Sequence, residues 1–352
     1  MLKRILSVSL CVCMCLPFVG CKKKADTLSV DSGSVPPVSS EVKPVTYINP
    51  LTGLDGLDKE TALQRPVAIM VNNISVAQPV QTGLTKADII YETEVEGGIT
   101  RLLAVFKDFK NVSKVGTVRS ARYDYIDLAM GHNAIYAHHG QDNYHAPAHL
   151  KDIDRIIVGT NNGGQRQSNG LALEHTLYAN GDKIWNSIKK QGINTTLKSM
   201  AEPWMSFSDG ETPVTFTDKC LSVTVPFSYS YKTTFKYNNE TGRYTRYFNN
   251  VERKDYNTKE SVTVKNVFVL NTTITSYPGC KDGKGHRKVR LTSGDGYYCV
   301  NGTYIRIKWS KGASSNSFKF TKYDGSQLTV NPGNSWVCIA DGARSKTTFV
   351  TE

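Results

Sequence analysis

The sequence lacks every catalytic signature that can be recognised from its spacing. It contains no nucleophile elbow, no Walker phosphate-binding loop, no dinucleotide fingerprint and no HExxH zinc motif. A membrane-spanning helix requires about 20 consecutive apolar residues, and no such run occurs after the N-terminal segment. These absences exclude a polytopic membrane protein and give no support for a bound cofactor.

The N-terminus has the composition of a bacterial secretory signal. Lys3 and Arg4 precede an apolar run at 5–19, and no acidic residue occurs before Asp26. A basic start, a short apolar stretch and a small residue at the cut site define such a signal. Residues 1–20 are therefore predicted to be a cleaved signal peptide.

Cys21 is predicted to be the lipidated first residue of the mature chain. Residues 18–21, Phe-Val-Gly-Cys, resemble a bacterial lipobox. Acyl chains such as palmitate on Cys21 would hold the protein in the bilayer, because each buried CH₂ contributes about 0.8 kcal/mol. The alternative is an ordinary signal peptide followed by a chance cysteine, or an uncleaved anchor.

The residues after Cys21 are predicted to form a tether that ends near residue 46. Lys22, Lys23 and Lys24 would lie at the lipid headgroups, and the stretch that follows is rich in Ser, Val and Pro. Such a composition buries little and stays extended. The folded part is therefore expected to lie beyond the headgroups, on the extracytoplasmic face of the bacterial cell membrane.

The chain is basic. Its net charge is +12, and removal of the signal peptide with Lys3 and Arg4 lowers that by two to +10. Outside a cell this charge favours anionic neighbours, such as lipid headgroups, a cell-wall polymer or an envelope protein. Nucleic acid is the other interpretation of a basic charge. Because the basic residues are spread along the chain, neither interpretation follows strongly, and nucleic acid is the less expected partner.

The four cysteines that remain in the folded part all lie in its C-terminal half. An even number in an exported protein favours at least one disulfide, with free thiols as the alternative. No two of them have the close spacing of a zinc site. The candidates are Cys220, Cys280, Cys299 and Cys338.

The two halves of the folded part differ in their sequence patterns, and together they predict an α+β fold. Residues 47–208 mix strand and helix signals and indicate an α/β N-terminal domain. Residues 209–352 show short strands between Gly, Asn and Asp turns, which is typical of an all-β, mainly antiparallel domain. The N-terminal part includes a predicted hairpin around Gly97-Gly98 and a predicted helix from Ser120 to Met130. Apolar residues at helical spacing predict a further helix from Asn180 to Gln191.

Several strings resemble the DUF3048 family, the YerB-type bacterial lipoproteins. They are Asn49–Gly53, Arg65–Asn72, Ala87–Glu92, Glu96–Arg101, Val118–Arg122, Tyr323–Gly325 and Asn331–Gly333. The resemblance covers nearly the whole mature chain. It implies a lipid anchor followed by an N-terminal and a C-terminal domain. The family offers no established activity that could be carried over, so the resemblance leaves the function open.

The first candidate site surrounds Arg119 and Arg122, where a predicted strand meets a predicted helix start. Ser120 would cap the helix by accepting a hydrogen bond from the N–H of Tyr123. The two guanidinium groups and the free N–H groups of a helix start suit a phosphate or a carboxylate. The alternative is a structural arginine pair tied to acidic side chains of the same domain.

The second candidate is the set Glu92, Glu94 and Glu96, which a spacing of two would place on one face of a strand. Arg101 lies across the Gly97-Gly98 turn and could compensate their charge. Such a set suits acid–base chemistry, a cation site or an internal network with arginines. The alternative is a solvated sheet face.

Five of the seven histidines fall between positions 132 and 149, and their spacing matches no zinc motif. No metal site is therefore predicted. His139 and, further on, His175 beside Glu174 are candidate ligand-binding residues.

Two functions follow. In the first, the protein is a binding or scaffold module for an anionic envelope ligand or partner. In the second, it is an envelope-acting hydrolase or transferase, which requires one pocket that contains Glu92 or Glu96, His139 and Arg119. Without a catalytic motif, the sequence favours binding and leaves the enzyme question open.

Overall fold

The computed structural model describes residues 44–352. The predicted signal peptide, the lipidation site Cys21 and the tether as far as residue 43 lie outside the described residues. Residues 45–352 form one compact unit. Within the described range we find no helix with the length and apolarity to cross a bilayer.

The described residues are rich in strands and contain few, short helices. The α-helices are α1 (Lys59–Leu63), α2 (Tyr123–Met130), α3 (Ala146–His149) and α4 (Gly181–Lys190). Short 3₁₀ turns lie at Ser75–Val80, Leu84–Lys86, Glu96–Gly98, Thr160–Asn162 and Leu173–His175.

The strands before residue 208 are β1 (Val67–Asn72), β2 (Ile89–Glu94), β3 (Thr100–Phe106), β4 (Val115–Gly116), β5 (Ile135–His138), β6 (Arg155–Ile157), β7 (Gly164–Arg166), β8 (Leu177–Ala179) and β9 (Ser206–Phe207). The later strands are β10 (Asp218–Lys219), β11 (Ser222–Pro226), β12 (Lys232–Asn238), β13 (Arg243–Phe248), β14 (Val251–Glu252), β15 (Thr263–Val264), β16 (Asn266–Thr272), β17 (Ile274–Ser276), β18 (Arg287–Val289), β19 (Ser293–Val300), β20 (Thr303–Ser310), β21 (Lys319–Lys322), β22 (Thr329–Val330), β23 (Ser335–Asp341) and β24 (Thr348–Val350).

One mixed sheet forms the centre of the fold. Its strand order is β10-β20-β19-β16-β23-β2-β3-β1-β5-β6, with β21 added beside β20. β23 runs parallel to both β16 and β2 and joins the early strands to the late ones. All seven residues of β23 are buried, as expected for a central strand that is covered on both faces.

Two apolar cores cover the two faces of this sheet. On one face the sheet packs against α4, through residues such as Trp185, and against the antiparallel sheet β14-β13-β12-β11-β24 with β15 beside β13, through residues such as Phe235. On the other face it packs against α2, through residues such as Ile126, and against Trp204 and Phe320. The side chains of β23 alternate between the two cores, with Trp336 in the first and Val337 in the second.

Local patterns predicted the β2–β3 hairpin and the helix α4 correctly. The hairpin around Gly97-Gly98 is present as β2 and β3, which pair antiparallel. α4 begins after Asn180, whose side chain accepts a hydrogen bond from the N–H of Lys183. The sequence analysis missed β23, because a strand buried on both faces shows no polar–apolar alternation.

The division into two domains at residue 208 stays a prediction. All four α-helices lie before that residue, and the described residues after it form strands and loops. Strands from both sides of the boundary pair within the central sheet. The two segments therefore share one framework.

Candidate functional site

The segment around Arg119 lies at the carboxyl ends of two parallel strands. β1 and β5 pair in parallel, so their ends meet at one edge of the sheet. The N–H of Arg119 donates to Met70 O at 3.1 Å, and the N–H of His139 donates to Arg119 O at 3.0 Å. Ala121 is held in turn by Gly140 O at 2.9 Å. The carboxyl edge of parallel strands is a common place for ligand sites.

The prediction that Ser120 caps a helix is wrong. α2 begins at Tyr123, and Arg122 occupies the N-cap position in an extended conformation without a side-chain cap. The strand-like pairing of Ala121 with Gln141 shifts the N-cap by two residues, from Ser120 to Arg122. Ser120 instead offers its carbonyl to Arg101 Nη1 at 2.5 Å.

Arg122 and Arg101 share one carboxylate. Arg122 Nε donates to Glu96 Oε2 at 2.9 Å, its Nη2 contacts Glu96 Oε1, and Arg101 Nη2 donates to the same oxygen at 3.0 Å. Burial alone would raise the pKa of Glu96, but the Arg122 hydrogen bonds and the charges of both arginines lower it to about 2. Arg122 is therefore committed to an internal ion pair.

Arg119 has a much weaker partner. Its Nη1 donates to Glu174 O at 3.3 Å, and its Nη2 lies 4.0 Å from Glu174 Oε1 on a side chain that is 59% exposed. The same Glu174 oxygen lies 3.2 Å from His175 Nε2. Asn72 Nδ2 donates to His175 Nδ1 at 2.8 Å, so that ring carries its proton on Nε2 when it is neutral. Burial is the main cause of the lowered pKa values of Arg119 and His175.

Arg166 completes this cluster and was missed in the sequence, where it lies in a turn-rich loop without a motif. Its Nη1 donates to Leu173 O at 2.5 Å, and its Nη2 lies 3.2 Å from His139 Nε2. His139 Nδ1 lies 2.6 Å from Val158 O. A carbonyl only accepts, so Nδ1 carries the proton and Nε2 accepts from Arg166. Arg119 and Arg166 thus both reach the 173–175 turn.

Glu96 lies outside the strand that carries Glu92 and Glu94, which corrects the prediction that all three share one strand face. β2 ends at Glu94, and Glu96 lies in the following 3₁₀ turn. Glu94 accepts from Arg287 at 2.8 Å and from Arg344 at 3.0 Å. Glu92 and Glu94 are 0% and 1% exposed, so a solvated face is also wrong for them. Each glutamate serves a different polar network.

Glu92 belongs to a closed network that joins the two sheets. Its carboxylate accepts from Asn73 and Thr100 at 3.0 and 2.9 Å, and from Thr233 and Trp336 at 3.0 and 3.1 Å. Asn73 Oδ1 in turn accepts from Arg246 Nη2 at 3.1 Å. Burial raises the pKa of Glu92, and Arg246 and the hydrogen bonds oppose that rise.

Arg246 is the buried cation of this network. It is 0% exposed, and its guanidinium carbon lies 4.6 Å from the centroid of the Trp336 ring. Neither Glu92 nor Arg246 is open to a ligand in this conformation. The structure therefore does not bring Glu92 into contact with Arg119, Arg166 or His139.

The histidine-rich stretch is divided among separate contacts. His132 lies 2.7 Å from Tyr91 Oη, His145 lies 3.2 Å from Cys280 Sγ, and His149 lies 2.9 Å from Asp127. Within residues 44–352 no group of three or more His, Cys, Asp or Glu side chains is arranged to hold a metal ion.

The expectation of a disulfide is not met, since all four candidate cysteines are free thiols. Cys220, Cys299 and Cys338 are buried in the core between the two sheets. Cys280 lies in a distant loop, where its sulfur faces an imidazole and not a second thiol. Cys220 and Cys299 lie side by side but are not bonded.

The fold and the sequence motifs together define the family to which the protein belongs. Residues 51–194 match the N-terminal domain, and residues 223–337 the C-terminal domain, of the DUF3048 family of proteins of unknown function. The chain belongs to this family, as its sequence motifs predicted.

A particular relative is the Bacillus subtilis (strain 168) protein named "Putative lipoprotein YerB". The two sequences are 30% identical over 307 residues, which cover 82% of this chain and 85% of the relative. The crystal structure of YerB from Bacillus subtilis matches with a TM-score of 0.73 at 27% identity, and the match covers 86% of this chain and 99% of the crystallised one. This likeness supports lipid anchoring and the shared fold.

Proposed function

We propose that the protein is a lipid-anchored module on the extracytoplasmic face of the cell membrane that binds an anionic group of an envelope ligand at the Arg119 cluster. We define this cluster as Arg119, Arg166, His139, His175 and Glu174. Anchoring through acylated Cys21 would hold the site above the bilayer, and the basic mature chain would favour an anionic wall polymer or an acidic partner.

The observation that carries the proposal is that neighbouring arginines differ in whether a carboxylate neutralises their charge. Arg122 and Arg101 are compensated by Glu96 at hydrogen-bond distance. Among the described residues, Arg166 has no carboxylate within 4 Å, and Arg119 has one only at that limit. A partly exposed guanidinium without a close carboxylate retains its capacity to bind an anion in bidentate fashion.

The neighbouring groups support the same chemistry. The carbonyl groups of Leu173 and Glu174 orient the two guanidinium groups. His139 Nε2 accepts from Arg166, and its Nδ1–H donates to the Val158 carbonyl. The site is therefore built from preoriented donors, and it needs no group with acid or base function.

The enzyme alternative has less support. Glu92 is closed off from solvent, and the pKa of Glu96 is about 2, which leaves it ionised and paired with two arginines. Neither carboxyl is placed to exchange a proton with a ligand at Arg119. Binding is the function that these contacts favour.

The test uses the mature chain with Cys21→Ser, which removes the acyl chains, and purified cell wall before and after chemical removal of its phosphate-bearing polymers. We expect binding only to the untreated wall, and a loss of at least about tenfold in the Arg119→Gln/Arg166→Gln double variant, because hydrogen bonds to charged groups contribute about 1.5–3 kcal/mol each. Arg306→Gln is the matched control, because Arg306 is exposed and contacts Tyr323 outside the cluster. Unchanged binding by a folded double variant would overturn the proposal.

A further inference from the structure

Asn72 is a buried amide at the end of β1 whose side chain contacts the Arg119 cluster. It is 3% exposed, and its backbone N–H donates to Thr117 O at 2.8 Å. Its side-chain Oδ1 accepts from the backbone N–H of Ile74 at 3.3 Å. An amide that uses its oxygen on a backbone N–H turns its nitrogen the other way, so Nδ2 faces the ring of His175. The orientation of this amide is therefore set by the backbone that follows β1.

The Asn72 amide in turn sets the state of the His175 ring. Its Nδ2 donates to His175 Nδ1 at 2.8 Å, and Nδ1 accepts a hydrogen bond only while it carries no proton. A proton on Nδ1 would set two donors against each other. The ring is also 6% exposed, and burial lowers its pKa because it disfavours the charged form. His175 is thus held as a neutral imidazole with its proton on Nε2.

His175 and Arg119 converge on one oxygen position. His175 Nε2 lies 3.2 Å and Arg119 Nη2 lies 4.0 Å from the same atom, Glu174 Oε1. Glu174 on the same turn and Arg119 on the segment between β4 and α2 are the charged groups that face this ring. The Glu174 side chain is 59% exposed, and such surface pairs are weak, so its carboxylate can leave this position easily. Oε1 therefore marks where an anionic oxygen of a ligand can lie between the two donors.

The hydrogen bonds of the second imidazole, His139, also favour its neutral form. Its Nδ1–H donates to Val158 O at 2.6 Å, and its Nε2 accepts from Arg166 Nη2 at 3.2 Å. A proton on Nε2 would place an N–H against a guanidinium, which repels a second positive charge. The neighbouring His138 is buried, and burial lowers its pKa. The positive charge of the cluster therefore resides on Arg119 and Arg166.

We propose that Asn72 is a positioning residue of the anion site, which holds His175 as a neutral donor whose Nε2–H, together with Arg119, binds one oxygen of the ligand in place of Glu174 Oε1. The inference rests on the function proposed for the Arg119 cluster. It specifies a ligand whose charge is permanent and needs no protonated imidazole, as is true of a phosphodiester. Binding should therefore be nearly independent of pH between about 6 and about 8, the range in which histidines usually change their charge.

The first experiment needs no ligand and follows the ring nitrogens of His175 by NMR in the mature Cys21→Ser chain. In the wild type we expect the proton on Nε2. Asn72→Asp is nearly isosteric and keeps an acceptor for the N–H of Ile74, but it turns a carboxylate oxygen towards Nδ1. It should raise the midpoint of the His175 titration by at least about one pH unit, because an adjacent carboxylate favours the imidazolium.

Asn169→Asp is the matched control. Asn169 Nδ2 donates to the backbone carbonyl of His175 at 2.8 Å, so this change adds the same charge close to the residue without touching its ring. We expect less than half of the shift that Asn72→Asp produces. A wild-type ring protonated on Nδ1, an unchanged titration in folded Asn72→Asp, or an equal shift in Asn169→Asp would overturn the proposal. The wild-type tautomer decides the question if Asn72→Asp does not fold.

The second experiment separates this inference from the proposed function by measuring binding of a soluble glycerol phosphate oligomer. We expect the wild-type affinity to change by less than about twofold between about pH 6 and about pH 8, and the Nε2 signal of His175 to shift on binding. Asn72→Asp should bind at least about threefold more tightly at the lower pH, where its His175 is charged.

The outcomes of the binding experiment are distinct. If neither the oligomer nor untreated cell wall binds to the wild type, the function proposed for the cluster fails, and the donor role of His175 fails with it. If the wall binds and the oligomer does not, or if the oligomer binds without a change at His175 Nε2, only the present inference is overturned. A wild-type affinity that rises strongly towards lower pH would also contradict a neutral His175 donor.

Discussion

The Glu92 network and the Arg119 cluster contain the same kinds of side chain and differ in how their charges are compensated. In the Glu92 network, the carboxylate accepts hydrogen bonds from four side chains, and Arg246 donates to one of these, Asn73, and is not exposed to water. In the Arg119 cluster, the guanidinium groups of Arg119 and Arg166 donate hydrogen bonds mainly to carbonyl and imidazole groups. The first arrangement holds two sheets together, and the second leaves positive charge available at the surface. Residue type alone does not distinguish a structural charge from a binding charge.

The largest effect is expected in the buried Glu92 network. Replacement of Arg246 by Met leaves the Glu92 carboxylate buried without a cation, which costs about 3–5 kcal/mol for such pairs. We expect a loss of that size in the free energy of unfolding, measured by urea denaturation. The Glu92→Gln/Arg246→Met double variant should be more stable than Arg246→Met alone. Equal destabilisation in both would show that the two charges are not coupled.

The next effect concerns Glu96, whose carboxylate is paired with Arg101 and Arg122. Its pKa falls from 4.5 to about 2 on folding, so it stabilises the folded state above pH 4.5 and loses that contribution as the pH falls towards 2. The shift corresponds to roughly 3 kcal/mol at neutral pH, as an upper figure. Glu96→Gln should lower stability at pH 7 and flatten the decline between pH 4.5 and 2. An unaltered decline would contradict the ion pairs with Arg101 and Arg122, and the exposed Glu240→Gln is the control.

The smallest effect is expected in the exposed Arg119 cluster, at Glu174. Glu174 is exposed and approaches Arg119 only at 4.0 Å, and such surface pairs contribute about 0.2–1 kcal/mol. Glu174→Gln should therefore leave stability nearly unchanged and strengthen binding of untreated cell wall by about two- to fivefold. The measurement is a titration at low ionic strength, repeated at high salt, where the gain should shrink. Weaker binding would instead make Glu174 part of the recognition site.

Some features could be predicted because they depend on neighbours in the chain. The hairpin at Gly97-Gly98 and the helix after Asn180 follow from turn residues and capping, which act within a few positions. The start of α2 could not be predicted in the same way. Arg122 takes an extended conformation because residues 119–121 pair with β1 and with the loop after β5. These partners lie far away in the sequence.

The sequence by itself determined the family, the predicted anchor at Cys21 and the abundance of short strands, because motifs, composition and local turns carry that information. Only the tertiary structure decided which charges are compensated. It placed β23 between β16 and β2, brought Trp336 to Glu92 and paired Glu94 and Glu96 with other arginines. It also set Arg166 beside His139. The physical reason is that the state of a charge depends on burial and on partners that only long-range packing brings together.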